Sequence, residues 1–263
     1  MALAAAVVLG GMLAVMLAAW ALQRTLSNSG WVDVFWTFGT GAACAAMALW
    51  PAPAESAGRQ WLAAALGIVW SLRLGLYIAA RVARSAEDAR YAHLKRTWGA
   101  DYQRRLFGFV LAQAPATALM TLSVFVAAHA GAGELGARDA LGALILAIAI
   151  AGEGLADEQM RRFKARDERG PIMEEGLWGW SRHPNYFFEW LGWLAYPAMA
   201  FDPGQPITWL TWIAPLLMYV ILRHGTGVPA LEGSMLRTRG DAFRDYQARV
   251  SVFFPRPPRR RAT

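Results

Sequence analysis

Two stretches near the C-terminal end set arginine, histidine, asparagine and carboxylates among aromatic rings. Residues 176–190 read GLWGWSRHPNYFFEW, and residues 240–247 read GDAFRDYQ, followed by Phe254-Pro255. Hydrogen-bonding and charged side chains this dense beside apolar runs cost free energy unless they meet a polar partner. They therefore point to a ligand site at a membrane surface, with an anionic cofactor as the ligand. In Ser181-Arg182-His183-Pro184-Asn185 the proline stands where a helix begins, with Ser181 or His183 as its cap. A helix start offers free backbone N–H groups and a positive dipole end to a pyrophosphate or carboxylate. Asn185 and Glu189, four apart, share one face and could meet a nicotinamide carboxamide. A purely structural, hydrogen-bonded helix start fits the same residues.

Glu153, Asp157, Arg161 and Lys164 are spaced by four, four and three, so a helix lines them along one face as it leaves the bilayer. As a binding stripe, Asp157 would take ribose hydroxyls and Arg161 and Lys164 would take phosphate. As a structural feature, it would be a snorkelling, salt-bridged helix end. Asp33 near the start of one apolar run, and Arg73 and Tyr77 four apart in the next, are intramembrane polar groups. They read either as functional residues or as an Asp33–Arg73 ion pair beside a packed tyrosine. Tyr77 is the phenol placed to donate a proton inside the bundle. His93, His129 and His224 have no ligand spacing and Cys44 is a single cysteine in an apolar run, so no metal site is expected. Gly-rich phosphate loops, nucleophile elbows and Walker motifs are absent.

The elements that must position these groups are membrane helices. Of 263 residues, 56% are hydrophobic, 13 are Trp and only 17% are charged, a composition of polytopic membrane proteins. Apolar runs near 2–22, 31–50, 61–80, 106–129, 139–160, 185–201 and 206–223 predict seven spans in one domain covering residues 1–263. The first lacks a basic leader and reads as a retained helix. Residues 81–105 carry seven Arg/Lys, residues 161–182 six, and the tail nine from Arg223 onward, whereas Arg59 and Arg138 stand alone in the alternate loops. Basic residues stay on the cytoplasmic side, so the N-terminus is expected outside and the tail 224–263 in the cytoplasm. The net charge of +7 is explained by this topology and by anionic headgroups, not by nucleic acid.

The motifs resemble those of the bacterial membrane family DUF1295, related to steroid 5α-reductases and more distantly to sterol Δ14- and Δ7-reductases. Gly176-Leu177-Trp178 leading into Asn185-Tyr186-Phe187-Phe188-Glu189 is similar to the 5α-reductase Gly-Leu-Phe element leading into Ala-Asn-Tyr/Phe-x-Gly-Glu. Arg182-His183-Pro184-Asn185-Tyr186 is similar to the Arg-His-x-Asn-Tyr of sterol reductases, and Phe243-Arg244-Asp245-Tyr246 with Phe254-Pro255 to the family ending. The resemblance implies an all-α bundle of seven transmembrane helices whose cytoplasmic loops form a cofactor site. It implies NADPH held by Asp157, Arg161, Lys164, Arg182, His183, Asn185, Tyr186 and Glu189, with Tyr246 in the same shell. It also implies hydride transfer to a carbon–carbon double bond of an enone-like lipid. The Gln-Glu pair that 5α-reductases present to a substrate carbonyl has no counterpart here, and Asp33 is the substitute, with Tyr77 the other candidate acid.

Membrane methyltransferases of the isoprenylcysteine and phospholipid type also carry Arg-His-Pro-x-Tyr around S-adenosylmethionine, and Glu232 and Tyr246 fit that pattern too. The charged face at Asp157, Arg161 and Lys164 suits a phosphorylated dinucleotide better. The reading is an inner-membrane oxidoreductase drawing a lipophilic substrate from the bilayer, with a lipid-binding scaffold without chemistry as the third class. No discontinuous repeat pair marks a transporter.

Overall fold

The apolar runs become helices and nothing else: among the described residues the only β contact is an isolated bridge between Ser181 and Ser251. The computed structural model describes residues 1–53, 56–84, 87, 89–130 and 134–259. Part of the expected turn at 131–136 and the last part of the basic tail lie outside them. The helices are α1 (Ala2–Leu26), α2 (Trp31–Ala48), α3 (Ala57–Val82), α4 (Ala89–Trp98), α5 (Tyr102–Leu111), α6 (Gln113–His129) and α7 (Ala137–Lys164). They continue with α8 (Pro184–Trp193), α9 (Ala195–Ala200), α10 (Ile213–His224), α11 (Val228–Arg239) and α12 (Asp241–Arg249).

Among the described residues, five helical stretches are long and apolar enough to cross a membrane: Ala2–Leu26, Ala57–Val82, Arg90–His129, Ala137–Lys164 and Pro206–Arg239. The expected stretches at 31–50 and 185–201 are helical but fall outside these five. The second is broken at Leu194, because Pro197 has no N–H for the carbonyl of Trp193 and its ring crowds that turn. The stretch expected at 206–223 starts as a 3₁₀ helix, Pro206–Trp212, before α10. Ser123 repairs that change of pitch: its hydroxyl donates to the Leu210 carbonyl (3.0 Å) and accepts from the Ala214 amide (2.9 Å).

The chain forms two compact units, each described by itself: residues 1–143 with 194–217, and residues 144–193 with 218–263. In the first, α2 packs against α1, α3 and α6. Small residues bring α2 and α3 together. A Cβ on Gly41 would strike Ser71 and one on Gly67 would strike Cys44, so glycine at both sites lets the backbones approach. Several polar groups here are paired. Trp36 Nε1 donates to Thr117 (3.0 Å), and Arg59 grips Asp139 with Nε and Nη2 at 2.8 and 3.0 Å while the Gly136 amide takes a remaining lone pair. Arg59, counted as a lone loop cation in the sequence, is thus a buried structural partner. On α7, Leu141, Leu144, Ile148 and Leu155 form an exposed apolar stripe at helical spacing, as a lipid-facing surface requires.

Candidate functional site

The second unit is built on the later part of α7 lying against α8. Phe188 fills the space over Gly152, and Gly192 sits beside Leu146 and Ala149. Rising numbers on α7 meet falling numbers on α8, so the two helices run antiparallel. That register sets Glu153 opposite the second turn of α8 and Asp157 opposite its start, where Asn185 and Glu189 lie. Glu153, Asp157 and Glu189 are all buried. Glu189 accepts from the Trp193 indole one turn on, at 3.1 Å. Two bonds from α7 pin the 3₁₀ turn Gly176–Gly179: Trp178 Nε1 donates to the Ala156 carbonyl (3.0 Å) and the Leu177 amide to Gln159 Oε1 (3.0 Å). Gly176 has φ of +57°, and a Cβ there would collide with the Gln159 amide, so glycine is required on both counts.

His183 is the N-cap of α8, its carbonyl accepting from the Phe187 amide (3.1 Å), and Ser181 forms the turn before it. The Ser181 hydroxyl accepts from the His183 amide (3.1 Å) and donates to the Phe253 carbonyl (2.8 Å), while the Arg182 amide reaches the Ser251 carbonyl (2.8 Å). Arg182 then turns inward. Its Nε and Nη2 reach the two oxygens of Glu232 at 2.7 and 3.3 Å, and Nη1 reaches the carbonyls of Gln247 and Val250. Glu232 also takes His183 Nε2 (3.1 Å) and Gln247 Nε2 (2.7 Å). One carboxylate therefore ties the start of α8 to α11 and α12. Burial pushes the His183 imidazole below its ordinary range, the Glu232 contact working against that shift, so the ring is neutral with its proton on Nε2. The Tyr186 ring stacks on it at 5.6 Å between centroids. The chain end completes the clasp: Phe253 and Phe254 pack edge-on to Trp190, and the Arg256 amide donates to the Trp180 carbonyl.

This geometry sorts the candidates. Asn185 and Tyr186 stand on the first turn of α8 and Glu189 one turn on, with Asp157 on the later part of α7, which runs antiparallel to α8. The four-residue row on α7 does not stay one face of a site: Glu153 and Asp157 are buried, whereas Arg161 and Lys164 are exposed on the last turn, past the contact with α8. Arg161 and Arg162 share Glu158 there, each at 2.6 Å. Arg182 is a correction. A guanidinium has five N–H donors and four are spent on Glu232 and two carbonyls, so it is a staple with at most one donor left for a ligand. Tyr246 is another correction. Its hydroxyl donates to the Trp178 carbonyl at 2.6 Å, and burial raises the phenol above its ordinary range, so it supports the 3₁₀ turn.

Asp33 and Tyr77 belong to the first unit. The Asp33 carboxylate accepts from Arg90 on one oxygen and from the Tyr91 hydroxyl on the other (2.9 Å), an acceptor's arrangement and not that of a proton donor. Tyr77 is 39% exposed with the Arg73 guanidinium 5.6 Å from its ring centre, so it faces outward, not into the bundle.

Glu232 stands out in the sequence only through a methyltransferase pattern and Gln247 only as the end of the second polar stretch, neither as a partner of Arg182, and Ser251 carries no signal there. The signal was faint: one acid and one amide on amphipathic helices far along the chain from Arg182. Among the described residues no cluster of three or more His, Cys, Asp or Glu side chains could hold a metal ion. A surface groove of about 370 Å³ runs between the end of α7, residues 168–175 and α12. Arg166 pairs there with Glu175, and Glu174 and Asp245 with Arg249, while Glu168 and Arg169 also line it; the row on α7 and α8 is the candidate in which the motif residues stand.

Those residues fit a dinucleotide at its polar, uncharged parts. Asn185 has no side-chain hydrogen bond among the described residues, and buried carboxylates nearby are acceptors for amide and hydroxyl donors. Cations for phosphate stand on the exposed end of α7 at Arg161 and Lys164. Residues 19–250 match the model of a family described as a protein of unknown function, DUF1295. No curated protein and no solved structure matches the chain.

Proposed function

Since this chain belongs to the DUF1295 family, which covers most of its length, we propose that it is a multi-pass membrane reductase that uses NADPH on a lipophilic enone. In this reading all seven apolar stretches lie in the bacterial inner membrane, with the C-terminal clasp in the cytoplasm. The observation that carries it is the row of Glu153, Asp157, Asn185 and Glu189 on apolar helices, leading along α7 to exposed arginines and a lysine. Buried acceptors and a carboxamide suit a nicotinamide amide and ribose hydroxyls, and cations at the helix end suit phosphates.

Asn185 and Glu189 would hold the nicotinamide end, Asp157 a ribose, and Arg161 and Lys164 the phosphates. The cofactor, when bound, supplies a hydride. The protein's part is to fix geometry and exclude water: the Arg182–Glu232–His183 knot holds the first turn of α8, so Asn185 and Glu189 are presented on a rigid element. Asp33 would meet the substrate only through a carboxylate that already accepts from Arg90 and Tyr91.

A second reading has one observation in its favour. With Arg182 bound to Glu232, the polar groups left around α8 are mostly acceptors, which would suit the ammonium and sulfonium of S-adenosylmethionine in a membrane methyltransferase. Parallel titration of purified protein with NADPH, NADH and S-adenosylmethionine by calorimetry separates the two. Saturable NADPH binding, with NADH weaker by about tenfold or more from the lost charge-assisted phosphate contacts, is the expected result. Tight S-adenosylmethionine binding with neither nucleotide would overturn the reductase reading.

A further inference from the structure

The groove of the second unit, between the end of α7, residues 168–175 and α12, sets walls of charge over an apolar floor that includes Phe163 and Ala242. Four carboxylates, Glu168, Glu174, Glu175 and Asp245, line it against two guanidiniums, Arg166 and Arg169. Arg166 is taken up by Glu175, and Arg169 turns Nη1 back to the Lys164 carbonyl at 2.6 Å. Arg249, on the last turn of α12, brings one Nη2 to Glu174 Oε2 at 2.7 Å and to Asp245 Oδ2 at 2.8 Å. Glu168 meets no cation among the described residues, and Glu174 keeps its Oε1 without a hydrogen bond there. With about 370 Å³ the groove has the size of a small binding cleft. Its excess of carboxylates repels a phosphate and favours a cation on an apolar stem.

The chain's own end stands at the edge of this groove. The Arg259 amide donates to the Arg249 carbonyl at 2.9 Å. Arg259, the last described residue, is thereby fixed at the end of the helix whose Asp245 and Ala242 line the groove. Residues 260–263, Arg-Arg-Ala-Thr, follow in the sequence and lie outside the described residues. Asp245 is one helical turn, about 6 Å, back from Arg249. Four residues reach up to about 13 Å, to which an arginine adds the length of its side chain. The reach is sufficient and the charges are complementary: an arginine stem covers apolar floor while its planar head meets a carboxylate.

We propose that the occupant of this groove is the chain's own basic tail, with Arg260 and Arg261 meeting Glu168 and Glu174. The tail then acts as a strap, tying the chain end to the segment 168–175 that leads into the turn Gly176–Gly179. Its own tail is favoured over a free cation because the anchor at Arg249 makes the encounter intramolecular, at a high effective concentration. The strap is independent of the cofactor reading.

Disulfide trapping in the full chain tests it, in nanodiscs of phosphatidylglycerol so that lipid headgroups compete for the same arginines. Gly170→Cys puts a thiol on the groove, where a Cβ meets nothing closer than 3.9 Å, and Ala262→Cys puts one beside the two arginines. The single native cysteine, Cys44, is buried. Mild oxidation should link the pair within one chain. Adding Arg260→Gln and Arg261→Gln should lower the yield by about fivefold, as the loss of two solvent-exposed ion pairs predicts. Arg96→Gln with Arg105→Gln, which removes equal charge from exposed positions of the first unit, should leave the yield as it was. Equal yields with and without the tail arginines would mean that tether length alone joins the thiols and would overturn the strap. Absence of the link would overturn it too. A link between two chains would give the groove to a second copy and not to the chain's own tail. If Gly170→Cys does not fold, Ala242→Cys on the α12 side of the groove carries the same test.

Discussion

Both units bury an arginine against a carboxylate, and they do so to different ends. In the first, Arg59 and Asp139 close on each other and on a neighbouring amide, joining the starts of α3 and α7. In the second, Glu232 serves Arg182, His183 and Gln247 together, and Arg182 passes the connection on to the carbonyls of Gln247 and Val250. A pair fastens two helices. A hub fixes the shape of a whole segment, here the turn that carries Asn185. The difference teaches where to look for a ligand: not at the densest charge, which is spent on structure, but at the polar groups that the dense charge holds in place.

The largest expected effect comes from breaking the hub. Glu232→Ala leaves Arg182 buried without its counter-ion and strips His183 and Gln247 of their acceptor. The cost should be about 3–5 kcal/mol, the penalty for an uncompensated buried charge. It would be read as a lowered unfolding midpoint in detergent, with release of residues 250–256 to limited proteolysis. A Glu232→Ala protein that melts with the parent and keeps its tail protected would show that the hub is not what holds the segment.

Asn185→Ala sharpens the comparison from the other side, because its carboxamide belongs to no structural network among the described residues. NADPH affinity should fall by about 1.5–3 kcal/mol, the worth of a hydrogen bond to a polar ligand group that is then left unmatched. The midpoint should stay with the parent. Glu189→Gln is less clean, since Glu189 also holds the Trp193 indole. Loss of stability in unliganded Asn185→Ala with full NADPH affinity would make this position structural.

Much of this could be read in the sequence, and the parts that could not have a common cause. Helix positions followed from apolar run lengths, and the break at Leu194 was available in Pro197. The start of α8 at Pro184, with His183 of the two cap candidates as its N-cap, also followed from local rules. What a residue does with its charge did not, because that depends on partners far along the chain. Arg182 and Glu232 are fifty positions apart, and the partners of Asp33 come from α4, which lies in the basic segment between two of the expected apolar runs. The row at Glu153, Asp157, Arg161 and Lys164 is legible as one helical face leaving apolar surroundings, buried at its first two positions and exposed at its last two.

The hub should also respond to pH. Burial holds the His183 pKa below its ordinary value near 6.5. The folded form therefore binds this proton less readily than the unfolded chain does. Stability from the neutral ring is complete above about pH 6.5 and drains as pH falls from there toward the folded value. Unfolding midpoints between pH 7 and 5 should decline for the parent and decline less for His183→Gln, which keeps a donor for Glu232 without a titrating ring. Parallel declines would place the titration elsewhere.

The smallest structural effect is expected at Arg161, and that is why it is informative. Its bond to Glu158 is exposed and one turn long, and Arg162 holds the same carboxylate, so Arg161→Gln should move stability by no more than about 0.5 kcal/mol. If Arg161 meets the extra phosphate of NADPH, the same change should narrow the gap between NADPH and NADH by about tenfold, because a charge-assisted contact worth about 1.5 kcal/mol or more is lost for one nucleotide only. Titrating both nucleotides against parent and variant measures that gap directly. An unchanged ratio would leave Arg161 as a surface ion pair and move the phosphate to Lys164 or to the arginines beyond it.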